Sequence, residues 1–381
     1  MGWVFLNLLY KNNNINKTKR IKKTIMKKLA IAALSLLLLF SCKNQQAKDE
    51  NEFFVFEPDI RLFTSYAFMN AAGYSHEWNS TMHPIRIEVR EYLDSVLTED
   101  YKQEIHSYYE KLGGGDFYGY GAYAINSGMP PDFRLNCDSC LNEDLVRFEA
   151  YDSLLHDFYE RAKIAELWKK YYTRLLEINL QYKPFAEIAI KQITEYCRVD
   201  SNYFRDKADG KFYYQQIPLI SYFTAFFHET GSDYWVISGP SAGEAGTGAF
   251  YHEPLHKIVN PIVESYPDLN LRIIDLVGLS QEKLDGDYGH VTPLICESFV
   301  RTIDRILSAR SNKLTDDKLR VMVEDEYRLG HILSFYLLEN LPAYEASNKT
   351  LKDYYPELIS KIDISHEKER WVSYWKSQEK K

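Results

Sequence analysis

The hexapeptide Tyr251-His252-Glu253-Pro254-Leu255-His256 decides how this chain is read. On an α-helix, residues four apart share a face, so imidazoles at 252 and 256 can reach one metal ion. Glu253 then points near an open coordination position. There it can take a proton from an attacking water and return it to a leaving amine. Zinc suits such a set, because two imidazoles and a carboxylate leave a fourth tetrahedral position open. The weak point is Pro254. An interior proline costs about 3 kcal/mol and pushes the residue before it away from α geometry. The helix is therefore expected to start at about Tyr251 or His252, with Pro254 in its first turn.

A third ligand is required downstream. Glu297, in Pro293-Leu294-Ile295-Cys296-Glu297-Ser298-Phe299-Val300-Arg301, is the first choice, a carboxylate from a second helix with Arg301 four residues on. His290 is the rival donor. Tyr288, His290 and His331 are the candidates for stabilising the transition state.

Upstream of the hexapeptide, Phe212-Tyr213-Tyr214, Ile217 to Phe227 and Tyr234 to Ile237 are short aromatic and β-branched runs, read as a small antiparallel sheet. One of these strands, around Phe223 to Phe226 or Tyr234 to Ile237, is the candidate to pair with a substrate backbone. Elsewhere helical periodicity dominates. Helices are expected from Pro84, after Thr98 to Gly113, from Glu143 to Ala162, from Lys163 to Tyr182 and from Pro184 to about Arg198. Gly113 to Glu143 reads as a long loop. Further helices are expected over about 251–264, 293–309, 316–330 and 331–341. The fold class that follows is α+β, mostly α-helical and zincin-like, with a small antiparallel sheet before the metal-binding helix. Residues 55–378 are taken as one domain: a helical part 55–210, a catalytic part 211–345 and C-terminal helices 346–378.

Several blocks together resemble an uncharacterised group of bacterial exported proteins described as zincin-like metallopeptidases of the gluzincin type. They are His252-Glu253-x-x-His256 with Asn260-Pro261 closing the helix, Glu297-Ser298-Phe299-Val300-Arg301, and Glu326-Tyr327-Arg328-Leu329-Gly330. The resemblance implies that His252, His256 and Glu297 bind zinc and that Glu253 is the base.

The N-terminus carries a different signal. Met26-Lys27-Lys28 and the apolar run Leu29 to Phe40 have the form of a secretory leader, too short to span a bilayer. It ends Leu39-Phe40-Ser41-Cys42, similar to the lipobox of bacterial lipoproteins. Residues 1–41 are therefore expected to be an over-extended start plus signal peptide, with Cys42 lipidated and 42–54 a flexible tether. An exported domain anchored by lipid to the outer membrane, on its periplasmic or surface face, is expected. The leader holds eight of the 46 basic residues and no acidic one, leaving 38 against 54, a formal charge of −16. Such an acidic surface excludes nucleic acid as a partner, because binding there depends on neutralising phosphates. In an oxidising compartment Cys137-Asp138-Ser139-Cys140 is expected to close a local disulfide. The function expected from all this is a zinc peptidase acting on peptides or proteins. The alternative is an inactive zincin-like or unrelated surface lipoprotein that binds peptides or glycans.

Overall fold

Local capping chemistry sets where the helices begin. The computed structural model describes residues 53–379 apart from 76–81, 113, 136–142, 207–208, 223, 242–244, 246–247, 282 and 285–289. Cys42, the Cys137/Cys140 pair and Tyr288 lie outside the described residues. Residues 53–381 form one unit. After a two-residue strand β1 (Phe54–Val55), Asp59 caps α1 (Ile60–Ala71) by accepting from the backbone N–H of Arg61 and Leu62. Pro84 opens α2 (Pro84–Val96), where its missing N–H costs nothing. Thr98 caps α3 (Glu99–Lys111), with Glu99 and Asp100 complementing the helix dipole.

Three helical expectations need correction. The Gly- and Pro-rich stretch after Gly113 is not all loop: α4 (Phe117–Asn126) occupies its middle, capped by Asp116. Glu143 to Ala162 is not one helix. It is a single turn at Glu143–Val146 and then α5 (Tyr151–Arg161), separated where Ala150 adopts a left-handed backbone at φ 63°. Conversely, Pro184 does not divide two helices but sits inside α6 (Ile164–Cys197), a rod about 51 Å long. Pro184 lies on the exposed face, where solvent can satisfy the carbonyl it frees.

The sheet also differs from expectation: it is mixed rather than antiparallel. Its strands β2 (Phe212–Gln216), β3 (Ala225–Thr230) and β4 (Asp233–Ser238) join β1 in the order β1-β2-β4-β3. β1 and β4 run parallel to β2, with Phe212 opposite Tyr234 and Gln216 opposite Ser238. β3 and β4 form an antiparallel hairpin around Gly231, whose φ of +59° suits a residue without Cβ. Pro218 cannot continue the ladder, so the chain leaves the sheet after Ile217 and returns at its outer edge as β3. That detour makes β4 parallel to β2.

The period-two alternation of the strands separates two cores. Tyr214, Tyr234 and Val236 face the C-terminal half of α6 and the helices that follow the sheet. Ile237, Trp235 and Phe226 face α1, α4 and α5. Tyr213 stacks on Trp235 with ring centroids 3.9 Å apart. After the sheet come α7 (Gly248–Glu264), α8 (Ile274–Ser280), α9 (Val291–Ser311), α10 (Asp316–Arg328), α11 (Ser334–Ala346), α12 (Leu351–Ser360) and α13 (Ile364–Gln378). Gly330, at φ +107°, follows the end of α10, as that block of sequence suggests. No helix among the described residues is long and apolar enough to cross a membrane.

Candidate metal centre

α7 carries His252, Glu253 and His256, and it starts three residues earlier than the sequence suggests. Pro254 is therefore the seventh residue of the helix, buried, and beyond the first turn where its missing N–H would be harmless. The helix ends at Glu264, as its sequence pattern suggests, and runs past the Asn260-Pro261 that the resemblance places at its close. A side chain distant in sequence permits this. Pro261 frees the carbonyl of Lys257, and the Tyr203 hydroxyl donates to that carbonyl at 3.0 Å. The backbone group that would end the helix is thus satisfied by a side chain.

α9 packs antiparallel along α7: Tyr251 donates to Ser311 Oγ at 3.0 Å near one end, while His256 meets Glu297 near the other. The apolar side chains Leu294, Ile295, Phe299, Val300 and Ile303 bury most of the circumference of α9. One stripe is polar: Glu297, Arg301, Asp304, Arg305 and Ser308, at helical spacing, turn toward α7 and the cleft.

The two motifs meet there. His252 Nε2 and His256 Nε2 are 3.2 Å apart, and His256 Nε2 is 3.2 Å from Glu297 Oε1. His252 Nε2 lies 3.8 Å from Glu297 Oε2. Ligand atoms at tetrahedral positions about 2.0–2.1 Å from a zinc ion are about 3.3 Å from one another, so the spacing fits. Among the described residues these three form the one group whose donor atoms converge closely enough to hold a metal ion. Asn260 Oδ1 lies 3.1 Å from His256 Nδ1, which places the proton on Nδ1 and a lone pair on Nε2. Glu297 is held from behind by Arg301, whose Nε donates to Oε2 at 2.8 Å. Arg301 in turn donates to Glu326 Oε2 at 3.0 Å, and Arg305 donates to Glu326 Oε1 at 2.8 Å.

Burial dominates the electrostatics. It holds His252 well below its ordinary pKa and thus neutral, the form that ligates. For His256 burial acts downward too, but the hydrogen bond and charge of Glu297 outweigh it and raise the imidazole. Burial raises Glu297, and the bond to His256 with the charges of both histidines and Arg301 more than reverse that. Glu253 has little such compensation. Its carboxyl, 4.0 Å from His252 Nε2, is pushed up by burial to about 7.

The other sequence candidates do not join this group. His290 is exposed and precedes the first turn of α9, and His331 is buried behind the cleft rather than lining it. His331 is nonetheless depressed to about 4, by burial first and then by Arg301. Asn260 and Glu326 stand in the sequence blocks quoted above without a role at the site, and Asp304 was not named from sequence. The i, i+4, i+7 run of charges in an otherwise apolar helix was the available signal for Asp304.

A cleft of about 1200 Å³ opens over the centre. Its wall on the sheet side is β3, the last strand of the sheet, with Ala225, Phe227 and Glu229 among its lining. Gly239 N–H donates to the Thr224 carbonyl at 2.8 Å. Alternation along the antiparallel ladder then bonds Phe226 and His228 to β4 and turns the backbone groups of Ala225 and Phe227 outward. No family model, curated protein or solved structure matches this chain.

Proposed function

We propose that the protein is a zinc-dependent peptidase of the gluzincin type, exported and lipid-anchored through Cys42. The observation that carries this reading is the convergence of His252, His256 and Glu297, with Glu253 beside them in a cleft walled by a strand edge that is unpaired among the described residues. A zinc ion held by the three side chains would supply Lewis-acid polarisation and acidify water at neutral pH. The residues of the chain divide the remaining work. Asn260 fixes the tautomer and tilt of His256, and Arg301 occupies one oxygen of Glu297 so that the other faces the histidines. Glu253, with a carboxyl near neutrality, accepts a proton from water and returns it to the departing amine. The outward backbone groups of Ala225 and Phe227 pair with an extended substrate, which lays its peptide bonds along the centre.

Elemental analysis of the purified domain is the direct test. About one zinc per chain is expected, lost in His256→Ala and kept in Glu253→Gln, which should abolish hydrolysis of a mixed peptide library. Absence of zinc from the native protein after incubation with zinc sulfate refutes the proposal. Zinc retained in a protein that cleaves no peptide would favour the alternative of a peptide-binding lipoprotein, for which the buried Pro254 beside the base is the specific observation.

A further inference from the structure

At the C-terminal ends of the parallel strands β2 and β4 the same cleft has a second, uncharged region. Gln216 ends β2 and Ser238 ends β4, opposite one another on the face that looks toward α7. Gln216 is only 3% exposed. Its Oε1 accepts from Ser238 Oγ at 3.0 Å, and its backbone N–H donates to Asn179 Oδ1 at 2.9 Å, so the residue is held at both ends. Its Nε2 has no hydrogen-bond partner among the described residues, although the side chain lines the cleft.

A buried amide donor left unmade is costly, and native proteins seldom leave one without a reason. The surroundings indicate what would satisfy it. Phe250 and Tyr182 stack with centroids 5.7 Å apart, forming an aromatic wall two residues before His252 in the chain. Thr224 lines the start of the edge strand beside them. Gly239 allows the close approach of the two chain segments, because a Cβ there would come within 1.9 Å of the Ser221 carbonyl oxygen. None of these side chains is charged. A cationic or anionic group would lose its hydration here without a counter-charge, whereas a neutral carbonyl oxygen on an apolar stem would meet a donor and an aromatic wall.

We infer that Gln216 is a specificity-determining residue, donating through Nε2 to the side-chain carbonyl of a substrate residue that is uncharged and amide-bearing, of the glutamine or asparagine type. The inference rests on the reading of the cleft as a peptide site, but it needs neither metal nor hydrolysis to be tested. Saturation-transfer NMR on the whole exported domain can compare three probes: N-acetylglutaminamide, N-acetylglutamate amide and N-acetylnorleucinamide. Binding of the glutamine probe is expected, with about tenfold weaker binding of the other two, the size of one buried hydrogen bond. Gln216→Met, which keeps side-chain length and removes the donor, should abolish that preference. Because it removes the unsatisfied donor but also the acceptor of the Ser238 hydroxyl, it is the double variant Gln216→Met/Ser238→Ala that should leave the midpoint of urea unfolding unchanged or raised. Gln216→Glu should weaken the glutamine probe as well. Equal binding of the norleucine probe, a preference that survives in Gln216→Met, or no binding of any probe would each overturn the inference. A zinc-free protein that still shows the glutamine preference would sink the peptidase reading and leave this subsite standing.

Discussion

Replacing Glu326 by Gln tests whether the network behind the candidate metal centre is an electrostatic unit. Glu326 is 2% exposed and accepts from Arg301 at 3.0 Å and from Arg305 at 2.8 Å, with a second, shorter bond from Arg305. Burial alone would raise its carboxyl, but the charges of Arg305 and Arg301 hold it below the ordinary range. Glu326→Gln keeps the shape and deletes the charge, leaving two largely buried guanidiniums to share Glu297 and Asp304. Breaking a buried ion pair from one side costs about 3–5 kcal/mol. The arginine side chains retain 24% and 30% exposure, so water recovers part of that and the low end, about 3 kcal/mol, is expected. Urea unfolding at neutral pH measures it. Adding Arg305→Met to Glu326→Gln should recover stability, giving a coupling of about 1–3 kcal/mol. The same variant should bind zinc about tenfold to a hundredfold more weakly, because Arg301 loses the anchor that fixes its hold on Glu297. A loss below about 1 kcal/mol together with additive double-mutant energies would refute the argument.

Pro254→Ala restores a backbone hydrogen bond in the second turn of α7 and should stabilise the metal-free protein by about 1–3 kcal/mol, read from thermal unfolding; a lower melting temperature would show that the ring's packing outweighs the lost bond. Ala225→Pro removes an outward-facing N–H from the edge strand without touching the ladder to β4, so peptide affinity should fall while zinc content stays the same. Unchanged peptide affinity would rule out strand pairing. His331, held near 4 in the fold against an ordinary 6.5, should make the protein acid-sensitive. The unfolded chain takes up a proton below about pH 6.5 that the folded chain refuses until about pH 4. Stability is therefore full at neutral pH and falls by about 3 kcal/mol across that interval. His331→Asn, compared with the parent in chelator across pH 7 to 4, should flatten that slope; parallel profiles would remove His331 as the cause.

Much of the candidate centre was legible because its geometry is helical. The four-residue spacing of His252 and His256, and the same spacing of Glu297 and Arg301, survive folding as shared faces whatever the tertiary arrangement. What sequence could not supply was the partner of each freed backbone group. Pro184 reads as a helix boundary and Pro254 as a first-turn residue, yet both lie deeper inside helices, and Pro261, where the resemblance closes the helix, is interior too. Pro184 frees a carbonyl to solvent, and Pro261 frees one that Tyr203 takes from 54 residues away. The sheet was misread for a similar reason. Short aromatic runs and a Gly231 turn give the β3–β4 hairpin, but the parallel pairing of β2 with β4 depends on where residues 217–224 carry the chain. Glu326 stands in a quoted block of sequence, but its role could not be read there because two arginines on another helix define it.

The charges of the cluster bear on why so many ionisable groups are buried here. Glu253, Glu297, Asp304 and Glu326 oppose Arg301 and Arg305, so full ionisation would leave two uncompensated negative charges out of water. Such an excess is costly in a low-dielectric interior, and protons relieve it. Burial raises Glu253 to about 7 and Asp304 to about 6, although Ser308 donates to Asp304 at 2.9 Å and Arg305 stands 3.5 Å away. The two carboxyls furthest from full compensation are thus the ones that hold protons most readily. A divalent cation between His252, His256 and Glu297 would supply the two missing positive charges and release those protons, leaving Glu253 as the free carboxylate that can accept one just when a substrate site is complete. On this account zinc uptake in weakly buffered solution at neutral pH should be accompanied by proton release, reduced in Glu253→Gln. Uptake without proton release would mean that the cluster's charge is balanced by other means and that Glu253 is already ionised before the metal binds.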